Sequence, residues 1–110
     1  MIASVIISFY KNIEYLNLVL AGFERQSEND FEIIIADDGS DENVIKQIEE
    51  LSTEFPFRVI HIWQEDKGFR KNKILNQAVV SSNSDYLIFI DGDCVPHSKF
   101  IEEHLSAKSK

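Results

Sequence analysis

Asp91-Gly92-Asp93 sets two carboxylates on either side of a glycine. Turned back on each other in a tight bend, they offer hard oxygen ligands to Mg²⁺ or Mn²⁺, and a diphosphate can fill the remaining positions. Gly92 lets backbone and ligand approach closely. Asp-Gly runs are also ordinary turn chemistry, so the tripeptide by itself fits a bend equally well. Asp37-Asp38-Gly39-Ser40 carries the same double meaning, because Asp and Ser cap helices and Gly bends chains. Two adjacent Asp exceed what one cap needs. One of them is therefore expected to face a cleft, where it can accept the imide hydrogen of a uracil base. Tyr10 offers a ring that can stack on that base, or that simply sits on the surface.

A short basic stretch complements these acids. Carboxylates dominate from Glu24 to Glu54, and the sign flips between Lys67 and Lys73, where Lys67, Arg70, Lys71 and Lys73 fall together. Beside a carboxylate-and-metal site that stretch suits an anionic, metal-chelated ligand, whereas on a plain helix it is a solvated face. His61, His97 and His104 lack the spacing of a metal cluster and are expected to be structural or exposed. Cys94 is expected to be a small buried hydrophobe, and Trp63 to pack.

The elements that must hold these residues are legible in the apolar runs. Ala3–Phe9, Phe31–Ala36, Arg58–Trp63 and Tyr86–Ile90 are short and rich in β-branched and aromatic residues. Ile33-Ile34-Ile35 and Leu87-Ile88-Phe89-Ile90 are continuous rather than alternating, the habit of strands covered on both faces of a parallel sheet. Between them lie helical periods. Leu16, Val19, Leu20 and Phe23 form one stripe; Val44, Ile45, Ile48 and Leu51 form another, opened by Ser40-Asp41-Glu42. A third helix is predicted over 72–80, burying Leu75, Ala78 and Val79. A fourth is predicted to begin just after Pro96 and to carry Phe100, Ile101 and Leu105. The order βαβαβαβα predicts an α/β fold, a Rossmann-like parallel sheet of order 3-2-1-4 with helices on both faces. In such sheets ligands sit beyond the carboxyl ends of the strands where strand order reverses, here between the first and fourth strands. Ser8-Phe9-Tyr10-Lys11 and Asp91-Gly92-Asp93 are expected there.

Composition narrows the classes. The chain has 110 residues, 44% of them hydrophobic, with one cysteine and a net charge of −8. The apolar fraction excludes a disordered chain, and the lone cysteine excludes a disulfide scaffold. No apolar run approaches the ~20 residues that span a bilayer, and no secretion signal is visible, so a reducing, cytoplasmic setting is expected. The acidic balance argues against nucleic acid as a partner.

Taken in order, the sets Val5-Ile6-Ile7-Ser8-Phe9-Tyr10-Lys11, Ile35-Ala36-Asp37-Asp38-Gly39-Ser40-Asp41 and Phe89-Ile90-Asp91-Gly92-Asp93 resemble the front half of a family 2 inverting glycosyltransferase with the GT-A fold. The stretch from Asp66 to Ala78, with Gly68-Phe69-Arg70 and the later Asn76, is similar to a subgroup that includes chondroitin- and galactosyl-type transferases of polysaccharide biosynthesis. The resemblance implies one nucleotide-sugar-binding unit over 1–110, a truncated transferase domain. It implies that Ser8 and Tyr10 contact base and ribose, that Asp38 bonds the uracil edge, and that Asp91 holds the ribose or supports the metal. Asp93 is then the direct ligand of Mn²⁺ or Mg²⁺, with Gly92 between them. Lys67, Arg70 and Lys73 become candidates for the base or the diphosphate, and Asn76 for a cap or loop anchor. The implied partners are a UDP-sugar donor and a saccharide acceptor, with the parent protein at the inner membrane surface.

An inverting transfer also needs a general base, which in this family lies well beyond the metal motif. The sequence runs only 17 residues past Asp93. Glu102 and Glu103 come too soon and are expected on a helix surface, so donor binding is expected without an identified base. A truncated sheet further predicts an exposed edge and self-association. Other classes fit less well. A receiver-like phosphoacceptor domain carries its acidic pair after the first strand, not the second. A haloacid-dehalogenase-like phosphatase places its Asp motif after the first strand, and a nucleotidyltransferase needs a Gly-rich loop there. An inert nucleotide-binding fragment or interaction domain is the remaining alternative.

Overall fold

The computed structural model describes residues 3–9, 12–65, 71–91 and 95–108. Strands and helices alternate along them: β1 (Ala3–Phe9), α1 (Ile13–Glu24), β2 (Phe31–Asp38), α2 (Glu42–Ser52), β3 (Arg58–Gln64), α3 (Lys71–Ser81), β4 (Leu87–Asp91) and α4 (Phe100–Lys108). The sheet order is β3-β2-β1-β4, and every pairing is parallel. This is the expected order.

Right-handed crossovers explain which face each helix takes. The chain steps from β1 to β2 to β3 in one direction, so α1 and α2 lie on one face. It then crosses back over the sheet to β4, which puts α3 on the other. Side-chain alternation divides the core accordingly. Val5, Ile7, Ile33, Ile35 and Ile88 meet Leu16, Val19, Leu20 and Phe23 of α1, Ile48 of α2 and Ile101 of α4. Ile6, Ile34 and Ala36 meet Ile74 and Ala78 of α3. Both central strands are thus apolar on both faces, which is why their runs do not alternate.

The strands reach further than their apolar runs. Asp37 pairs with Trp63 and Asp38 with Gln64, so both acids belong to β2, and Asp91 is the last residue of β4 opposite Ser8. Two expectations about α3 and β3 are corrected. Ile74, not Val79, is buried beside Ala78, since Val79 is 38% exposed. Trp63 does not pack into the core but stays 45% exposed, because β3 is the outer strand beside β2. Helix α4 begins at Phe100, where its backbone N–H reaches the His97 carbonyl, rather than straight after Pro96.

Polar side chains fix the joints. Asn12 caps α1 by accepting from the Tyr15 N–H, and Asp41 caps α2 by accepting from that of Val44. Gln26, at the end of α1, donates from Nε2 to the His97 carbonyl at 2.6 Å and accepts from the Ile101 N–H at 3.0 Å. It thereby ties the segment after β4 to α1. Among the described residues no helix is long and apolar enough to cross a membrane.

Candidate active site at the carboxyl ends of the strands

Alternation and register place three of the sequence-predicted residues together. Ser8 has the parity of Ile6, Asp38 that of Ile34 and Ala36, and Asp91 that of Leu87, all of which face α3. Ser8, Asp38 and Asp91 therefore share the α3 face at the carboxyl ends of β1, β2 and β4, three adjacent strands. Ser8, Phe89, Ile90 and Asp91 line a groove of about 260 Å³ with Leu75 of α3. It opens where the strand order reverses, the position at which doubly wound sheets bind ligands.

The two acids of β2 have separate duties. Asp37 is fully buried on the α1/α2 face. Its Oδ1 accepts from the Ser40 hydroxyl at 2.7 Å and the Ser40 N–H at 3.1 Å, and its Oδ2 lies 2.8 Å from His61 Nε2. The Trp63 indole N–H donates to the Ser40 carbonyl at 2.8 Å. Gly39 completes the turn at φ 105°, a left-handed conformation that favours glycine. Asp37 is thus committed to holding the turn. Asp38 points to the opposite face, keeps 7% of its surface exposed, and accepts from Gln64 Nε2 at 2.8 Å.

Lys73 is exposed in the first turn of α3, a turn with no acidic residue. That helix starts on the side where β3 ends, so its positive dipole end and this lysine lie at the same edge of the sheet as the groove. Cations at the positive end of a helix are unfavourable unless an anion offsets them. Tyr10, Lys67, Arg70, Gly92, Asp93 and Cys94 lie outside the described residues. Of the histidines, His61 is structural, and exposed His97 accepts from the Lys99 N–H at 3.2 Å. His104 lies against the Phe100 ring. Asn76 is exposed on α3.

Among the described residues no group of three or more His, Cys, Asp or Glu is arranged to hold a metal ion. A divalent ion that takes most of its ligands from phosphates needs only one or two carboxylates. Exposed Asp91, at the mouth of the groove, fits that demand. A carboxyl of shifted acidity, Glu32, lies at the amino ends of the strands. Burial would raise the pKa of Glu32, but hydrogen bonds from Ser4 and Asn83 and the charge of Arg58 outweigh it and hold the carboxyl below its ordinary value of 4.5.

Gln64 and His61 were not singled out as partners of the acids from sequence. The available signal was a polar residue ending the Ile60, Ile62 stripe. Only pairing to β2 reveals what it meets. The sheet order also separates this chain from receiver-like domains, whose order 2-1-3 places the first strand between the second and third.

Comparison with known proteins agrees with this geometry. The family model for glycosyl transferase family 2 matches residues 4–110. An uncharacterized glycosyltransferase of Bacillus subtilis, YfnE, is 32% identical over 106 residues, covering 96% of this chain and 26% of that protein. The chondroitin synthase of Escherichia coli is 29% identical over 105 residues, 93% of this chain and 15% of its own length. Among solved structures, S. aureus TarS 1-349 superposes with a TM-score of 0.75 in complex with UDP and 0.76 in complex with UDP-GlcNAc. It is 20% identical, with 96% of this chain covered against 31% and 30% of those chains. The chain thus spans about a quarter of YfnE and less than a third of TarS 1-349.

Proposed function

The chain belongs to glycosyl transferase family 2, and on that premise we propose that it forms the donor-binding part of an inverting, metal-dependent transferase. The donor is a UDP-sugar and the acceptor a saccharide. The observation that carries this reading is the convergence of Ser8, Asp38 and Asp91 on one face at the switch point of the sheet. Each has a role suited to its place. Asp38 accepts the imide N–H of uracil, and Ser8, which lines the groove, contacts base or ribose. Asp91 contacts the ribose or joins Asp93 in holding Mn²⁺ or Mg²⁺. Such an ion, when bound, neutralises the diphosphate and makes it a better leaving group. Lys73 adds positive charge at the α3 amino end for the same diphosphate. The UDP and UDP-GlcNAc complexes of TarS support a nucleotide sugar as the ligand class.

Glu102 and Glu103 are not assigned the general base. Their helix, α4, packs through Ile101 against the α1/α2 face, opposite the groove. Glu102 accepts from the Ser27 hydroxyl at 3.0 Å, and Glu103 lies 3.3 Å from His97.

Calorimetric titration of UDP, with and without Mn²⁺, tests the reading. Wild type is expected to bind UDP at least about tenfold more tightly with the metal, and Asp91→Ala and Asp93→Ala to lose that gain. Binding indifferent to metal, or equal in the variants, contradicts it.

A further inference from the structure

Gln64 ends β3 on the α3 face, where the stripe Ile60, Ile62 leads an apolar residue to be expected. The matching stripe of β2, Ile34 and Ala36, likewise ends in a polar residue, Asp38. The two are register partners, and both are nearly buried, at 6% and 7% exposure. Burying an amide and a carboxylate where hydrocarbon would serve costs stability unless the groups bond each other. They do, through Gln64 Nε2 and Asp38 Oδ1 at 2.8 Å. A bond between them offsets the cost without explaining why the pair is there.

We propose that Gln64 is a positioning residue that selects the donor base by fixing the Asp38 carboxylate as an oriented acceptor. The proposal rests on the reading of Asp38 as the base-binding acid. An ionised carboxylate has about four acceptor directions, and the Gln64 amide takes one of them. The remaining directions are then set by the rotation of Asp38, which the Gln64 bond holds. The oxygens of a carboxylate are acceptors only, so the oriented Asp38 pairs with a donor. Uracil presents an N3–H donor. Cytosine presents a bare N3 acceptor at the same place and meets the carboxylate lone pair to lone pair. A site built around a hydrogen-bond partner rejects the analogue that lacks it, because a buried polar group is left unpaired.

The test is calorimetry of UDP and CDP, each with Mn²⁺, on wild type, Gln64→Leu and Gln64→Glu, with thermal melts to confirm folding. Wild type is expected to prefer UDP by more than about tenfold. Gln64→Leu, similar in size but with no donor, should weaken UDP about tenfold, leave CDP within about threefold, and remove most of the preference. Gln64→Glu can donate to Asp38 only when its own carboxyl is protonated. Its UDP affinity relative to wild type should therefore be low near neutral pH and recover as pH falls toward about 5. A residue that merely filled space would show no such pH profile. If Gln64→Leu does not fold, the pH series on Gln64→Glu decides alone. Wild-type selectivity retained in both variants overturns the role of Gln64 and leaves the donor site standing. A wild type that binds neither nucleotide overturns the donor site itself, and this assignment with it.

Discussion

A buried carboxylate persists only where donors surround it, and Glu32 is the clearest case in this chain. It accepts from the Ser4 hydroxyl at 2.7 Å and from Asn83 at 2.7 Å through the backbone and 2.9 Å through the side chain. One residue thereby ties β1, β2 and the turn between α3 and β4 at the sheet end remote from the groove. Glu32→Gln presents an amide hydrogen to one of those donors and is expected to cost about 1–3 kcal/mol at neutral pH. Because the folded carboxyl titrates below its ordinary value of 4.5, its contribution is complete above that value. It is lost as pH falls from there through the folded value. Melting temperatures of wild type and Glu32→Gln should therefore differ most near neutrality and converge on acidification. A constant gap down to about pH 3 contradicts this account.

At the level of elements, the segment after β4 is held by α1 through close packing as well as Gln26. A Cβ on buried Gly22 would meet Pro96 Cδ at 2.8 Å and the Pro96 carbonyl oxygen at 3.0 Å. Alanine in a helix gains roughly 1 kcal/mol over glycine, whereas overpacking a rigid ring and backbone costs about 1–3 kcal/mol. The clash should win, since neither neighbour can rotate away. Gly22→Ala is expected to lower the Tm by several degrees, on the order of 5 °C. A higher Tm shows that the segment yields. Pro96 stands three positions after Asp93 in the sequence, so the same substitution is expected to weaken metal-dependent UDP binding beyond its effect on stability.

At the scale of the molecule, β4 is an edge of the described sheet, and Phe89 on it is 52% exposed. A free edge beside apolar side chains favours pairing with another copy. The net charge of −8 opposes it. Screening within about 8 Å at physiological salt weakens that repulsion, so association should rise with concentration and with salt. Sedimentation velocity is expected to show this, and Phe89→Lys to shift the chain to monomer. A wild-type monomer at high concentration and salt excludes edge pairing.

Local pattern determined the elements, their order and both faces of the sheet. Continuous runs such as Ile33-Ile34-Ile35 can be buried only between two helical layers, and right-handed connection leaves few topologies for the sequence βαβα. The strand-end acids were legible as well, because packing does not account for carboxylates after apolar runs. Which acid does what was decided by tertiary structure. Asp37 and Asp38 are adjacent and chemically identical, and they part only because successive side chains of a strand point to opposite faces. One meets His61 and Ser40 and becomes scaffold, while the other meets Gln64 on the face that carries the groove. His61 and Gln64 come from β3, more than twenty residues along the chain, and no local pattern encodes a register between strands that far apart.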